Sequence, residues 1–167
     1  MQDSAELLAQ VPLFAPAEPE LLCRLAASSF PRRLARGQVL FVEGEPCEHL
    51  YVVVSGRLSI SVTSTRGDEL VLSVLGPGDA LGELGVVDGG TRSAGATAVD
   101  EVQLLAVPAA AVRQLMASSP PVALAAAEEL AAMLRRVTGS AADLVFLDLP
   151  RRLAKLLAGD DGSDVEG

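Results

Sequence analysis

The feature that most constrains this chain is a change of period. From Gly37 to Pro108 apolar residues recur in twos, and glycine or proline cuts in every few positions. Beyond Pro108 they recur in threes and fours, and glycine becomes rare. A period of two belongs to β-strands and one near 3.6 to helices. The chain therefore has to form many short strands first and helices afterwards. Short strands cut by glycine turns predict an antiparallel sandwich, barrel or jelly roll.

The strands can be placed in order. Val39, Leu40, Phe41 and Val42 form a short apolar run, and Glu43-Gly44-Glu45-Pro46 turns the chain. Residues 50–54 are rich in β-branched valine, a strand signal. Leu58, Ile60 and Val62 alternate with Ser59, Ser61 and Thr63, and Thr65-Arg66-Gly67-Asp68 reads as a hairpin tip. Val71, Ser73 and Leu75 alternate with Leu72 and Val74. Residues 94–98 and 102–107 give two more strands around the acidic turn Asp100-Glu101.

Short helices flank this region. Residues 4–9 predict one, with Ser4 as its N-cap. Residues 18–27 predict another, with Leu21, Leu22, Leu25 and Ala26 on one face and Cys23 in the core. Residues 109–117 predict a third. Pro120-Pro121 then opens an alanine- and leucine-rich run to about Val145. Its apolar positions Ala123, Ala127, Leu130, Leu134, Val137, Ala141 and Leu144 are spaced alternately by four and three. That is a heptad seam suited to a two-helix coiled coil, with a stripe packed on the sheets as the alternative. Gly139 weakens it by about 1 kcal/mol relative to Ala. Pro150 starts a last helix over 151–158, and residues 159–164 are polar and acidic.

Composition excludes several functions. A net charge of −9 gives no counterion release, so these residues by themselves do not bind DNA. Two cysteines and one histidine are too few for a four-cysteine zinc site, an iron–sulfur cluster or a multi-histidine metal site, so no metal is expected. A cupin-like oxygenase on the same strands fails for the same reason, and the chain is read as no enzyme. The first ten residues lack the basic start and apolar run of a signal peptide. No apolar run approaches the ~20 residues that span a bilayer. The expectation is a cytoplasmic protein with no membrane partner. His49 reads as a surface residue in a turn, and Cys47 as a turn residue.

One stretch carries chemistry. Residues 82–94 are punctuated by glycine, with Glu83 near the start and Arg92 near the end. Glycines let the backbone approach an anion and turn its N–H groups toward it. Arg92 would neutralise a phosphate, and Glu83 would accept hydrogen bonds from hydroxyls. Together they point to a sugar phosphate or a nucleotide. The bland alternative is that the two charges simply pair across a bent loop.

The ordered set of motifs resembles the sensor half of the cyclic-AMP receptor protein/Fnr family of bacterial transcription regulators. The similarity runs from about Phe14 to Leu157. It rests on residues 37–44, 50–56 and 75–79, on 82–94, which is similar to the family's phosphate-binding cassette, and on 143–148 at the end of the long helix. The resemblance implies a double-stranded β-helix, or jelly-roll-like β-roll, with flanking helices and a long dimerisation helix. Residues 1–117 would be the roll with its short N-terminal helices, 118–148 the dimerisation helix, and 149–167 a hinge helix and acidic tail. It implies a cyclic nucleotide as ligand, cyclic AMP first, and no other cofactor. Arg92 would hold the phosphate and Glu83 the ribose 2′-OH. Gly82, Leu84 and Gly85 would bring backbone groups close, and Ser93 and Ala94 would add a hydroxyl and an N–H. Ser73 would face the base, while Thr138 would reach the nucleotide of the other subunit or else bond back into its own helix. A homodimer would form through 120–145. The resemblance further implies a helix-turn-helix domain after the last helix, and the sequence stops at Gly167 without one, so DNA contact would need that domain. Two positions depart from the family: Leu81 replaces a frequent aromatic, and Val137 stands where a threonine contacts the adenine amine. Val137 offers the base no hydrogen bond. A ligand-independent dimeric module with a degenerate pocket is the alternative function.

Overall fold

A computed structural model describes residues 2–146, and the predicted last helix and acidic tail lie outside them. The N-terminal region forms two helices, α1 (Gln2–Gln10) and α2 (Pro19–Ser28). Helix α1 begins before Ser4, which is therefore inside the helix and not its cap. Eight strands follow: β1 (Phe30–Leu34), β2 (Val39–Phe41), β3 (His49–Ser55), β4 (Leu58–Thr63), β5 (Glu69–Leu75), β6 (Ala80–Leu81), β7 (Gly95–Ala98) and β8 (Val102–Pro108). A short helix α3 (Glu83–Asp88) interrupts them. Helices α4 (Ala109–Ser118) and α5 (Pro120–Phe146) complete the described chain.

The strands form two antiparallel four-stranded sheets, ordered β1-β8-β3-β6 and β2-β7-β4-β5. Neither order follows the sequence, because the chain passes back and forth between the sheets and so rolls them together. The first sheet is covered on both faces. Leu50, Val52, Leu105 and Val107 join the core under α1, α2 and α4. Tyr51, Val53, Leu104 and Ala106 join the core inside the roll. A strand buried on both faces has no polar positions to alternate with, which explains the unbroken apolar run at 50–53.

The second sheet ends in β5, an edge strand paired only with β4 among the described strands. Its Leu70, Val71, Leu72 and Val74 are all more than half exposed. Strand β1 was not legible from alternation, because Pro31, Arg32 and Arg33 interrupt it. It is also an edge strand, where a proline costs no ladder hydrogen bond.

The chain divides into two compact units, residues 1–126 and 127–167. Val122 and Ala126, in the first two turns of α5, are buried in the core of the first unit. In the second unit Leu134 and Val137, on the predicted seam, are 66% and 58% exposed. They are apolar side chains still facing solvent in a single chain.

Candidate functional site

Residues 82–94 are not loop throughout. Glu83–Asp88 forms α3, capped at each end by a glycine in the left-handed region, Gly82 at φ 101° and Gly89 at φ 71°. The helix is too short to show periodicity, and its central glycine and two valines are poor helix formers. Its position is fixed by tertiary contacts. Val86 is buried, and Arg113 on α4 donates a 3.4 Å hydrogen bond to the Val86 carbonyl. The N–H groups at the start of any α-helix have no acceptor within it, and those of α3 lie next to Gly82.

Residues 44–49 run along this stretch and tie down both its ends. The Arg92 N–H donates to the Glu45 carbonyl at 2.8 Å, and the Gly44 N–H to the Arg92 carbonyl at 2.9 Å. Pro46 and Thr91 form an isolated bridge. The Cys47 N–H donates to Gly90 at 3.4 Å, and its thiol to the Gly82 carbonyl at 3.4 Å. Cys47, read from the sequence as a turn residue, is thus buried at the base of the site. Cys23, expected in the core, is exposed. It lies one position off the buried stripe of Leu22, Leu25 and Ala26.

The guanidinium of Arg92 is the centre of the arrangement. The residue is only 6% exposed. Its Cζ lies 4.0 Å from the centroid of the Phe41 ring and 5.4 Å from that of Tyr51. These two rings are themselves stacked at 6.1 Å. Cation–π contact holds the flat face of the group. One nitrogen, Nη2, donates a 2.7 Å hydrogen bond to the His49 carbonyl. The other two, Nε and Nη1, are buried without a hydrogen-bond partner among the described residues. Buried charged donors are costly unless matched, so such a pair calls for an anion. Gly82 leaves the space beside Nη1 open, since a Cβ there would overlap that nitrogen.

Most of the sequence-derived site residues converge here. Glu83 opens α3 and is half-buried, as are Gly82 and Leu84, while Gly85 and Ala94 are buried and Ser93 is exposed. Ser73 lies apart on β5, opposite Ile60 and exposed. Leu75 packs against the roll interior. Thr138 belongs to the second unit, where its hydroxyl donates to the Leu134 carbonyl at 2.9 Å. Sequence reasoning missed Phe41, Tyr51 and the His49 carbonyl. The aromatic pair had a signal in its rarity, with four Phe and one Tyr in the chain. The histidine is also no loose turn residue. It begins β3, with its ring edge-on to Phe30 at 5.3 Å.

Burial pushes the Cys47 thiol up, against the opposing pull of Arg92 and Arg113. Hydrogen bonds from the Arg57 side chain and backbone hold Asp100 below the usual carboxylate range. Among the described residues no group of three His, Cys, Asp or Glu could hold a metal ion. No described helix is long and apolar enough to cross a membrane.

The family model for the cyclic nucleotide-binding domain matches residues 31–119, which span the roll, the glycine-capped helix and Arg92. The chain belongs to the cyclic nucleotide-binding domain family. It is 36% identical over 152 residues to a CRP-like cAMP-activated global transcriptional regulator of Mycobacterium tuberculosis. That match covers 91% of this chain and 68% of the relative. The sensor domain of the transcriptional regulator DNR from Pseudomonas aeruginosa superposes with a TM-score of 0.75 at 29% identity. That superposition covers 83% of this chain and 93% of DNR's. The catabolite activator protein of Thermus thermophilus gives 0.72 at 34% identity, over 81% of this chain and 63% of its own. These likenesses bear out the β-roll with flanking helices and the resemblance to CRP/Fnr regulators. The cyclic nucleotide-binding domain is a ligand-binding module of CRP-like regulators, not an enzyme.

Proposed function

We propose that this chain is the cytoplasmic cyclic-nucleotide sensor of a CRP-like transcription regulator, and that its ligand is cyclic AMP or a close analogue. The buried guanidinium of Arg92, with Nε and Nη1 unpartnered, carries this reading. A cyclic phosphate supplies one negative charge and acceptor oxygens for those two donors. Glu83 takes the ribose 2′-OH, the first N–H groups of α3 and of Ser93 and Ala94 complete the phosphate cradle, and Ser73 lies on the base side. Support comes also from the Mycobacterium tuberculosis relative, which is described as cAMP-activated.

The exposed Leu134 and Val137 support a homodimer through 120–145, with Thr138 reaching the partner's nucleotide. A ligand that binds one arrangement of the paired helices better shifts the population toward it. A DNA-binding domain beyond these residues reads that shift. Calorimetry with cyclic AMP and cyclic GMP tests the sensor. Saturable binding that Arg92→Ala weakens supports it, and no heat at millimolar nucleotide overturns it. Val137 favours a second reading, a ligand-independent dimeric module, because it has no hydrogen-bonding group for a base.

A further inference from the structure

Cys47 has no place in the proposed ligand contacts, yet it touches the cassette at more points than its neighbours do. Its thiol donates to the Gly82 carbonyl at 3.4 Å and lies 3.8 Å from the His49 carbonyl. Both of these residues border Arg92. The Gly82 residue leaves room for Nη1, and the His49 oxygen holds Nη2. Below α3, Cys47 also meets Gly85. A Cβ built on Gly85 would overlap the Cys47 Cβ and come within 2.9 Å of its Sγ. The next nearest atom is the Thr91 carbonyl oxygen at 3.2 Å, which would have to give by a few tenths of an ångström. The absence of a side chain at 85 is therefore matched to the presence of one at 47. A ligand-facing feature stands independently beside this pair, the two unpartnered nitrogens of the buried Arg92.

We infer that Cys47 is a positioning residue for nucleotide binding: it sets the height of α3 through Gly85 and the place of Gly82 beside Arg92. The inference rests on the cyclic-nucleotide reading of the site. It makes residues 47 and 85 a matched pair. Enlarging 85 alone pushes α3 away from residues 44–49, and shrinking 47 as well lets it return. It also couples pocket occupancy to thiol access, because a reagent reaches Cys47 only when α3 lifts.

The test uses the full chain with Cys23→Ser, so that one thiol remains. Calorimetry with cyclic AMP and cyclic GMP compares the parent, Gly85→Ala and Gly85→Ala/Cys47→Gly. Gly85→Ala weakens binding by on the order of tenfold or more, and the double variant recovers most of that loss. A purely structural role would restore the melting temperature without restoring affinity. In the parent, saturating nucleotide slows alkylation of Cys47 by N-ethylmaleimide at least several-fold. Binding that Gly85→Ala leaves unchanged, a double variant no better than the single, or alkylation indifferent to bound nucleotide overturns the inference while the sensor reading stands. No binding by the parent overturns both.

Discussion

Arg92 gives one of its nitrogens to the backbone carbonyl of His49 at 2.7 Å and keeps two buried and unmatched. The hydrogen bond orients the guanidinium, and the proposed phosphate would match the other two nitrogens. If that is its role, removing it should harm binding far more than folding.

Arg92→Ala is expected to weaken cyclic-nucleotide binding by roughly tenfold to a hundredfold, the worth of a charge-assisted hydrogen bond. Arg92→Met separates function from structure. An apolar replacement for a poorly compensated buried charge is often neutral or stabilising. The ligand-free melting temperature should stay level or rise while binding is lost. A fall of more than about 4 °C, which at this chain length is about 1–2 kcal/mol, would mark the guanidinium as a structural element instead.

Gly82→Ala meets two obstacles. Its φ of 101° is disfavoured for any residue with a Cβ, at a cost of about 1–2 kcal/mol. The added methyl also falls on Arg92 Nη1. Denaturant unfolding should show the loss of stability, and calorimetry a loss of affinity larger than the strain alone accounts for. Gly37 is also left-handed, but nothing lies within 4 Å of its missing side chain. Gly37→Ala should therefore carry the strain and leave affinity intact.

Asp100 locks two turns by accepting from the Arg57 N–H at 2.7 Å and from Arg57 Nε at 2.9 Å. Its carboxyl is held below its ordinary value by those bonds. A depressed carboxyl binds its proton more weakly folded than unfolded, so its stabilisation is present above the unfolded value and is lost as pH falls through the folded one. Thermal melts of Asp100→Asn should lie below the parent at neutral pH. The gap should be full above about pH 5 and close as pH drops below the ordinary value near 3.9. A gap that persists in acid would show that the aspartate acts through packing alone.

Leu134 and Val137 are exposed large apolar side chains on the seam. Leu134→Lys should convert a dimer into a monomer in analytical ultracentrifugation, and unchanged sedimentation would place the interface elsewhere. Val137→Thr supplies a hydroxyl for an adenine amine. It should tighten cyclic AMP by roughly threefold to tenfold, the worth of one neutral hydrogen bond. Equal tightening of cyclic GMP would count against that contact.

The roll was legible in the sequence because its strands carry their own signal. Leu58, Ile60 and Val62 alternate with serine and threonine, and Gly67 marks the hairpin. Arg92 and Glu83 were legible because charges among glycines stand out. What remained hidden depends on contacts distant in sequence. The burial of Cys47 follows from meeting Gly82 and Gly85, and no local pattern reports that. Helix α3 has too few residues for a period, and β6 has two. Cys23 was misplaced because one step around a helix moves a side chain about 100°, from the edge of the stripe to solvent.

Strand β5 has a consequence for how the purified protein behaves as a colloid. Its outer edge is unpaired among the described strands, and Leu70, Val71, Leu72 and Val74 stand in water along it. Such an edge is a template for another copy's strand. At neutral pH the net charge of −9 holds molecules apart. Close to the isoelectric point near 4.5 that repulsion vanishes. The same acidity that sets these residues against DNA should then keep concentrated solutions clear at neutral pH and let them cloud near pH 4.5.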